Sequence, residues 1–197
     1  MSRKRGQGKA AQLEGAAPSG TKRRIRISIE MVLWLVVATL LVHRVTPQVR
    51  AAFGFDAGSA AAPPVAVPML AGGQIALADL RGEVVLVNFW ATWCPPCRLE
   101  MPGFQDVYEA KRAQGFTILG ISADDGPPAN VQAFLTERGI TYPVGMNMPQ
   151  IALAFGGVNS YPTSFLIDRS GNIRYVVRGI FAEAALAQAV DRLLAES

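Results

Sequence analysis

Beyond residue 64, the apolar positions of the chain fall into two alternating rhythms. Val84-Val85-Leu86-Val87-Asn88-Phe89-Trp90 is apolar at nearly every position, the pattern of a strand buried on both faces, as in parallel sheets. Phe116-Thr117-Ile118-Leu119-Gly120-Ile121-Ser122 repeats it. Between the two, Arg98 to Gln114 places Leu99, Met101, Phe104, Val107 and Tyr108 at helical spacing. Upstream, Val65–Leu70 and Gln74–Leu77 flank Ala71-Gly72-Gly73 and predict a short hairpin. Downstream, Ala129–Arg138 predicts a helix ended by Gly139, Thr141–Val144 a short strand and Pro149–Phe155 a short helix. Ser164–Asp168 and Asn172–Arg178 alternate as strands around Arg169-Ser170-Gly171, and Phe181–Ala195 reads as a closing amphipathic helix. Strand–helix–strand–helix followed by a hairpin and a helix predicts an α/β sheet with helices on both faces.

The first 64 residues behave differently. Residues 1–24 carry seven Lys/Arg against Glu14 and show no apolar periodicity, so they predict a disordered basic tail. Ile27–Val42 is almost wholly apolar, broken by Ser28, Glu30 and Thr39. As a helix, its sixteen residues extend about 24 Å, slightly less than a ~30 Å hydrocarbon core. Ile25 lengthens the span, and Arg26 and Arg44 can snorkel from its ends. The expectation is a transmembrane anchor over residues 25–43, with Glu30 near the headgroups. Positive residues crowd its N-terminal side, which places the N-terminus in the cytoplasm and the rest of the chain across the inner membrane, in the periplasm. A cleaved signal peptide fits less well, because His43, Arg44, Thr46 and Pro47 stand where small residues prepare a cleavage site. Residues 44–64, rich in Ala, Gly, Ser and Pro, predict a linker, and residues 65–197 one compact domain.

Charge follows this division. Residues 1–59 hold ten Lys/Arg and three Asp/Glu, and residues 60–197 hold nine and twelve. The net +4 therefore belongs to the targeting segment, and a basic tail directly before an apolar span argues against nucleic acid as a partner.

The chemistry centres on Trp93-Cys94-Pro95-Pro96-Cys97, between a buried strand and a helix, and these are the only cysteines in the chain. A purely structural disulfide across so short a loop constrains little unfolded-chain entropy. A structural zinc site needs four ligands, and the chain has two cysteines and one histidine, His43 in the anchor. No metal or other cofactor is expected. At a helix start, N–H groups and the dipole favour the reactive thiolate, so the spacing points to redox exchange. Cys94 is expected to be the exposed nucleophile and Cys97, one turn in, the shielded resolving cysteine. Pro95 suits the first helical position. Pro95 and Pro96 both lack N–H donors, which leaves Cys97 N–H and few others for the Cys94 thiolate. That predicts a modestly lowered Cys94 pKa and a reducing couple.

Residues 87–102, Val-Asn-Phe-Trp-Ala-Thr-Trp-Cys-Pro-Pro-Cys-Arg-Leu-Glu-Met-Pro, and residues 161–168, Tyr-Pro-Thr-Ser-Phe-Leu-Ile-Asp, resemble the membrane-anchored thioredoxin-like oxidoreductases of the TlpA/ResA/CcmG (DsbE) type. With the order of elements, the resemblance covers roughly residues 65–195. It implies a thioredoxin fold with an N-terminal hairpin and a central insertion. It also implies a cis Pro162 beside the disulfide, with neighbours able to pair with an extended client, and a helix kink at Pro102. The implied activity is reduction of disulfides in client proteins, either apocytochrome c or an oxidase copper-site subunit, with electrons from a membrane donor of the DsbD/CcdA type.

Ordinary thioredoxins carry an aspartate where this chain has Asn88, and asparagine cannot accept a proton in exchange. Glu100, three residues after Cys97 on the same helix face, is the nearest other carboxylate. It is read either as the group that handles the Cys97 proton or as a solvated or helix-dipole-stabilising glutamate in the first turns. Trp90 and Trp93 are read as core and active-site wall, and Met146 and Met148 as packing. Two functions of other classes fit less well. A copper-binding chaperone lacks a histidine ligand in the folded domain. A thiol peroxidase needs threonine three residues before its cysteine, where Ala91 stands.

Overall fold

The computed structural model describes residues 32–40 and 60–196. Residues 32–40 form helix α1, all of them exposed, including Leu33, Trp34 and Leu35. Among the described residues, no helix is long and apolar enough to cross a membrane. Most of the anchor expected over 25–43, the whole tail 1–24 and residues 44–59 of the expected linker lie outside the described residues.

Residues 60–196 are built on a six-stranded mixed sheet. Its strands are β1 (Ala60–Ala61), β4 (Val84–Trp90), β5 (Phe116–Ser122), β6 (Val144–Met146), β7 (Thr163–Ile167) and β8 (Asn172–Arg178), in the order β1-β8-β7-β4-β5-β6. A separate hairpin pairs β2 (Ala66–Pro68) with β3 (Gln74–Ala76). β4 is central, parallel to β5 and antiparallel to β7. The helices are α2 (Pro95–Lys111), α3 (Pro128–Glu137), α4 (Pro149–Ala154) and α5 (Glu183–Ala195).

The continuous apolar run of β4 divides between two cores, as the two-residue period of a strand requires. Val84, Leu86 and Trp90 face one core with Met101 and Phe104 of α2, Val131 and Leu135 of α3, and Leu186 and Val190 of α5. Val85, Val87 and Phe89 face the other, with Val67 of the hairpin and Ile151 of α4. Asn88 has the parity of the face covered by α2, α3 and α5 and is buried. Every residue of β4 is buried, so the strand gives the turn after it a rigid base. Between β5 and β7 the chain inserts α3, β6 and α4. This is the thioredoxin fold that the resemblance implies, with the hairpin and the central insertion.

Three local expectations shift. Ala60–Ala61, read as linker, pair with Ile173 and Asn172 at the sheet edge. The strand expected at Thr141–Val144 runs from Val144 to Met146, because Thr141 is held instead by Gln105, through its backbone N–H and its hydroxyl. The last helix begins at Glu183 and not at Phe181, whose N–H turns inward to Glu100. Gly145 explains how the hairpin docks. A Cβ there would collide with the Pro68 carbonyl and the Val67 side chain, so only glycine lets β6 approach β2.

Candidate active site

Cys94 and Cys97 form a disulfide at the carboxyl end of β4. The turn between strand and helix is closed by Cys94 N–H donating to the Ala91 carbonyl (3.2 Å), and Ala123 N–H donates to the Trp90 carbonyl (2.8 Å). Cys94 is the N-cap of α2, with prolines filling the first helical positions, where an N–H has no carbonyl partner in the helix. Cys97 N–H donates to Cys94 Sγ at 3.3 Å. The expected contrast in exposure is small: Cys94 is 3% exposed and Cys97 0%. Both sulfurs are covered while bonded to one another. The difference between them is one of position, since Cys94 lies at the cap beside exposed Trp93 and Pro95, and Cys97 lies inside the first turn. Arg98 is exposed.

Trp93 stands out at the site, 63% exposed, with its ring edge-on to Tyr161 (centroids 5.9 Å apart). The Tyr161–Pro162 peptide bond is cis. Thr163, the next residue, is paired with Phe89 across the sheet, which brings Pro162 to the end of β4 where the disulfide turn begins. Trp90 is core, fully buried and packed near Phe134. Pro102 lies inside α2.

Behind the disulfide lies a polar chain that the sequence only half shows. Asn88 Nδ2 donates to Glu100 Oε1 (3.0 Å) and to Ser164 Oγ (2.9 Å), while Phe181 N–H donates to Glu100 Oε2 (2.9 Å). Glu100 is only 5% exposed, so the solvated reading of this residue does not hold. Burial pushes its carboxyl up from the ordinary 4.5 to about 8, against the lowering effect of the Phe181 N–H and Asn88. Tyr142 is buried as well, and burial together with the Glu100 charge pushes its phenol up. Asn88 thus takes no proton itself, but it anchors the carboxyl that can. Ser164 and Phe181 lie 76 and 81 residues from their partners. The sequence shows only the framing of Glu100 by strand β4 and helix α2.

Asp124 and Ser122, at the end of β5, also reach the site and carry no sequence signal. Asp124 accepts hydrogen bonds from the Thr92 backbone N–H and from the Thr92 and Ser122 hydroxyls. Among the described residues, no three His, Cys, Asp or Glu side chains are grouped to hold a metal ion.

The single N–H directed at Cys94 Sγ has a measurable consequence. With little to stabilise a thiolate, the reduced form gains little, and the disulfide is hard to reduce. Equilibration with dithiothreitol or glutathione is expected to place the couple clearly below the ~−180 mV of protein disulfide isomerase. Pro96→His, which puts a donor or a positive charge next to Cys94, is expected to raise the potential by tens of millivolts, about 30 mV per 1.4 kcal/mol. A wild-type potential near DsbA's ~−120 mV would make the protein an oxidant.

Residues 59–176, more than half of the chain, match the AhpC/TSA family. The chain is 29% identical to the thiol-disulfide oxidoreductase ResA of Geobacillus thermodenitrificans (strain NG80-2) over 172 residues, covering 87% of this chain and 98% of that one. It is 30% identical to ResA of Bacillus subtilis (strain 168) over 165 residues, covering 84% and 92%. Among solved structures, it is similar to a thioredoxin-family thiol:disulfide interchange protein from Chlorobium tepidum TLS. The TM-score is 0.64 and the identity 38%, over 71% of this chain and 99% of that one. A disulfide at a helix cap after a buried central strand, a cis-proline loop level with it and agreement along the whole folded unit converge on one assignment. The chain belongs to the AhpC/TSA family, as a thioredoxin-like thiol–disulfide oxidoreductase of the ResA type.

Proposed function

We propose that this oxidoreductase works as a reductant outside the cytoplasm, held at the inner membrane by residues 25–43. It would reduce disulfides in client proteins of cytochrome c maturation or of oxidase copper-site assembly. The observation that carries the direction of electron flow is the single N–H donated to Cys94 Sγ. The topology rests on the Lys/Arg excess before the apolar span and on the exposed apolar side chains of α1, a surface suited to lipid.

The exchange is balanced in atoms and electrons. The Cys94 thiolate attacks one sulfur of the client disulfide, forming a mixed disulfide, and the other client sulfur leaves as a thiolate and takes a proton. Cys97 gives its proton to ionised Glu100 and attacks Cys94, which restores the Cys94–Cys97 disulfide and expels the second client sulfur as a thiolate. That thiolate takes a proton from solvent while Glu100 returns its own to solvent. Two electrons pass to the client, and a membrane dithiol donor of the DsbD/CcdA type returns them. Trp93, Tyr161 and the Pro162 loop form the wall against which an extended client segment lies.

Protease added to spheroplasts is expected to digest residues 60–197 and spare the basic tail. Recovery of a soluble protein starting near Ala51 or Ala52 would overturn the anchor. A deletion strain scored for c-type cytochromes and for oxidase activity identifies the client class, and retention of both would overturn the proposed clients. Copper titration and a peroxide assay test the chaperone and peroxidase readings, and neither is expected to give a signal.

A further inference from the structure

The segment Ala91–Trp93 carries Cys94 but belongs to no strand or helix, so its placement depends on what grips it from outside. Asp124 does so. Its Oδ2 accepts from the Thr92 backbone N–H (3.0 Å) and from the Ser122 hydroxyl (2.7 Å), and its Oδ1 accepts from the Thr92 hydroxyl. Ser122 Oγ in turn accepts from Asp124 N–H (3.2 Å). Ser122 is fully buried at the last position of β5, in register with Trp90. The grip therefore fastens the active-site turn to a rigid strand. We infer that Asp124 is a positioning residue for thiol–disulfide exchange: it holds the Thr92 turn so that Cys94 stays within bonding reach of Cys97 when the pair is reduced.

The inference rests on exchange at Cys94–Cys97 but not on the client or the direction of electron flow. Disulfide stability reflects the effective concentration of one thiol at the other, so a looser turn makes the disulfide less stable and the couple more oxidising. The hydrogen-bond pattern also separates geometry from charge. An asparagine can place its oxygen toward Thr92 N–H and donate its amide to the Thr92 hydroxyl, which is able to accept. Asp124→Asn thus keeps the grip without the charge, and Asp124→Ala removes it.

The test is the equilibrium constant of each variant against glutathione, with the alkylation rate of Cys94 and circular dichroism as companions. Asp124→Ala is expected to lower the constant for disulfide formation about tenfold, equivalent to about 30 mV. Asp124→Asn is expected to stay within about twofold of wild type. Thr92→Val, which loses the hydroxyl but keeps the N–H bond, is expected to fall between them. Thr92→Val combined with Asp124→Ala is expected to be no worse than Asp124→Ala alone, because both act through one contact. If Asp124→Ala fails to fold, Thr92→Val decides. A folded Asp124→Ala or Thr92→Val with the wild-type constant overturns the inference, as does Asp124→Asn behaving like Asp124→Ala. A wild-type potential near that of DsbA would sink the reductant reading and leave this comparison intact.

Discussion

Cys94→Ser is expected to abolish electron transfer to a disulfide client and to trap no mixed disulfide, whereas Cys97→Ser accumulates a stable one through Cys94. The two cysteines differ little in exposure in the oxidised protein, so the asymmetry comes from position. Cys94 caps the helix, with exposed Trp93 and Pro95 on either side, and its sulfur receives the Cys97 N–H. Cys97 lies inside the first turn of α2, and both cysteines belong to the same buried core. A client sulfur must approach in line with the sulfur that attacks it, and the cap, flanked by exposed Trp93 and Pro95, lies nearer that approach than the first turn does. Gel shift under non-reducing conditions reads the trapped species. Faster alkylation of Cys97 than of Cys94 at neutral pH would reverse the assignment.

The second large effect is expected at Glu100. Glu100→Gln is expected to slow resolution of the mixed disulfide on the order of a hundredfold, the lower end of what a positioned acid–base group contributes. The potential should be nearly unchanged. The wild-type rate should rise with pH up to about 8 as the carboxyl ionises, and the variant should lose that component. Stability changes in the opposite sense. The carboxyl binds its proton more tightly folded than unfolded, so its contribution is complete below about 4.5 and is lost as pH rises to about 8. Glutamine has no proton to lose. Its stability relative to wild type should therefore climb across that window and level off above it, readable by urea titration at several pH values. Exchange kinetics identical to wild type in the variant would reduce Glu100 to a packing residue. A flat stability difference would mean that the carboxyl is not raised by burial.

These sites show where sequence reasoning is strong and where it stops. Strand β4 was legible residue for residue, because a seven-residue apolar run with its parity split between two faces admits few placements. The cysteine pair at the start of α2 was legible because prolines and a two-residue spacing confine it to a strand-to-helix turn. The cis Pro162 came from the resemblance, and the structure has it cis. Boundaries slipped where a polar side chain from elsewhere held the backbone, as Gln105 does at Thr141 and Glu100 at Phe181.

The sequence alone determined the redox-active cysteine pair and the α/β order of the elements that carry it, because hydrophobic period and cysteine spacing are local properties of the chain. The resemblance of residues 87–102 and 161–168 implied the thioredoxin architecture. Tertiary structure alone decided the state of Glu100 and the grip of Asp124. Whether a carboxyl is solvated or buried depends on Asn88, itself held by Ser164, and Phe181 meeting it across separate elements. Whether Asp124 is a surface acid or a brace on the active-site turn depends on β5 lying parallel to β4 and ending level with it. Desolvation and hydrogen bonding between residues distant in sequence arise only when the chain closes on itself, and they set the proton affinity and the geometry of the exchange.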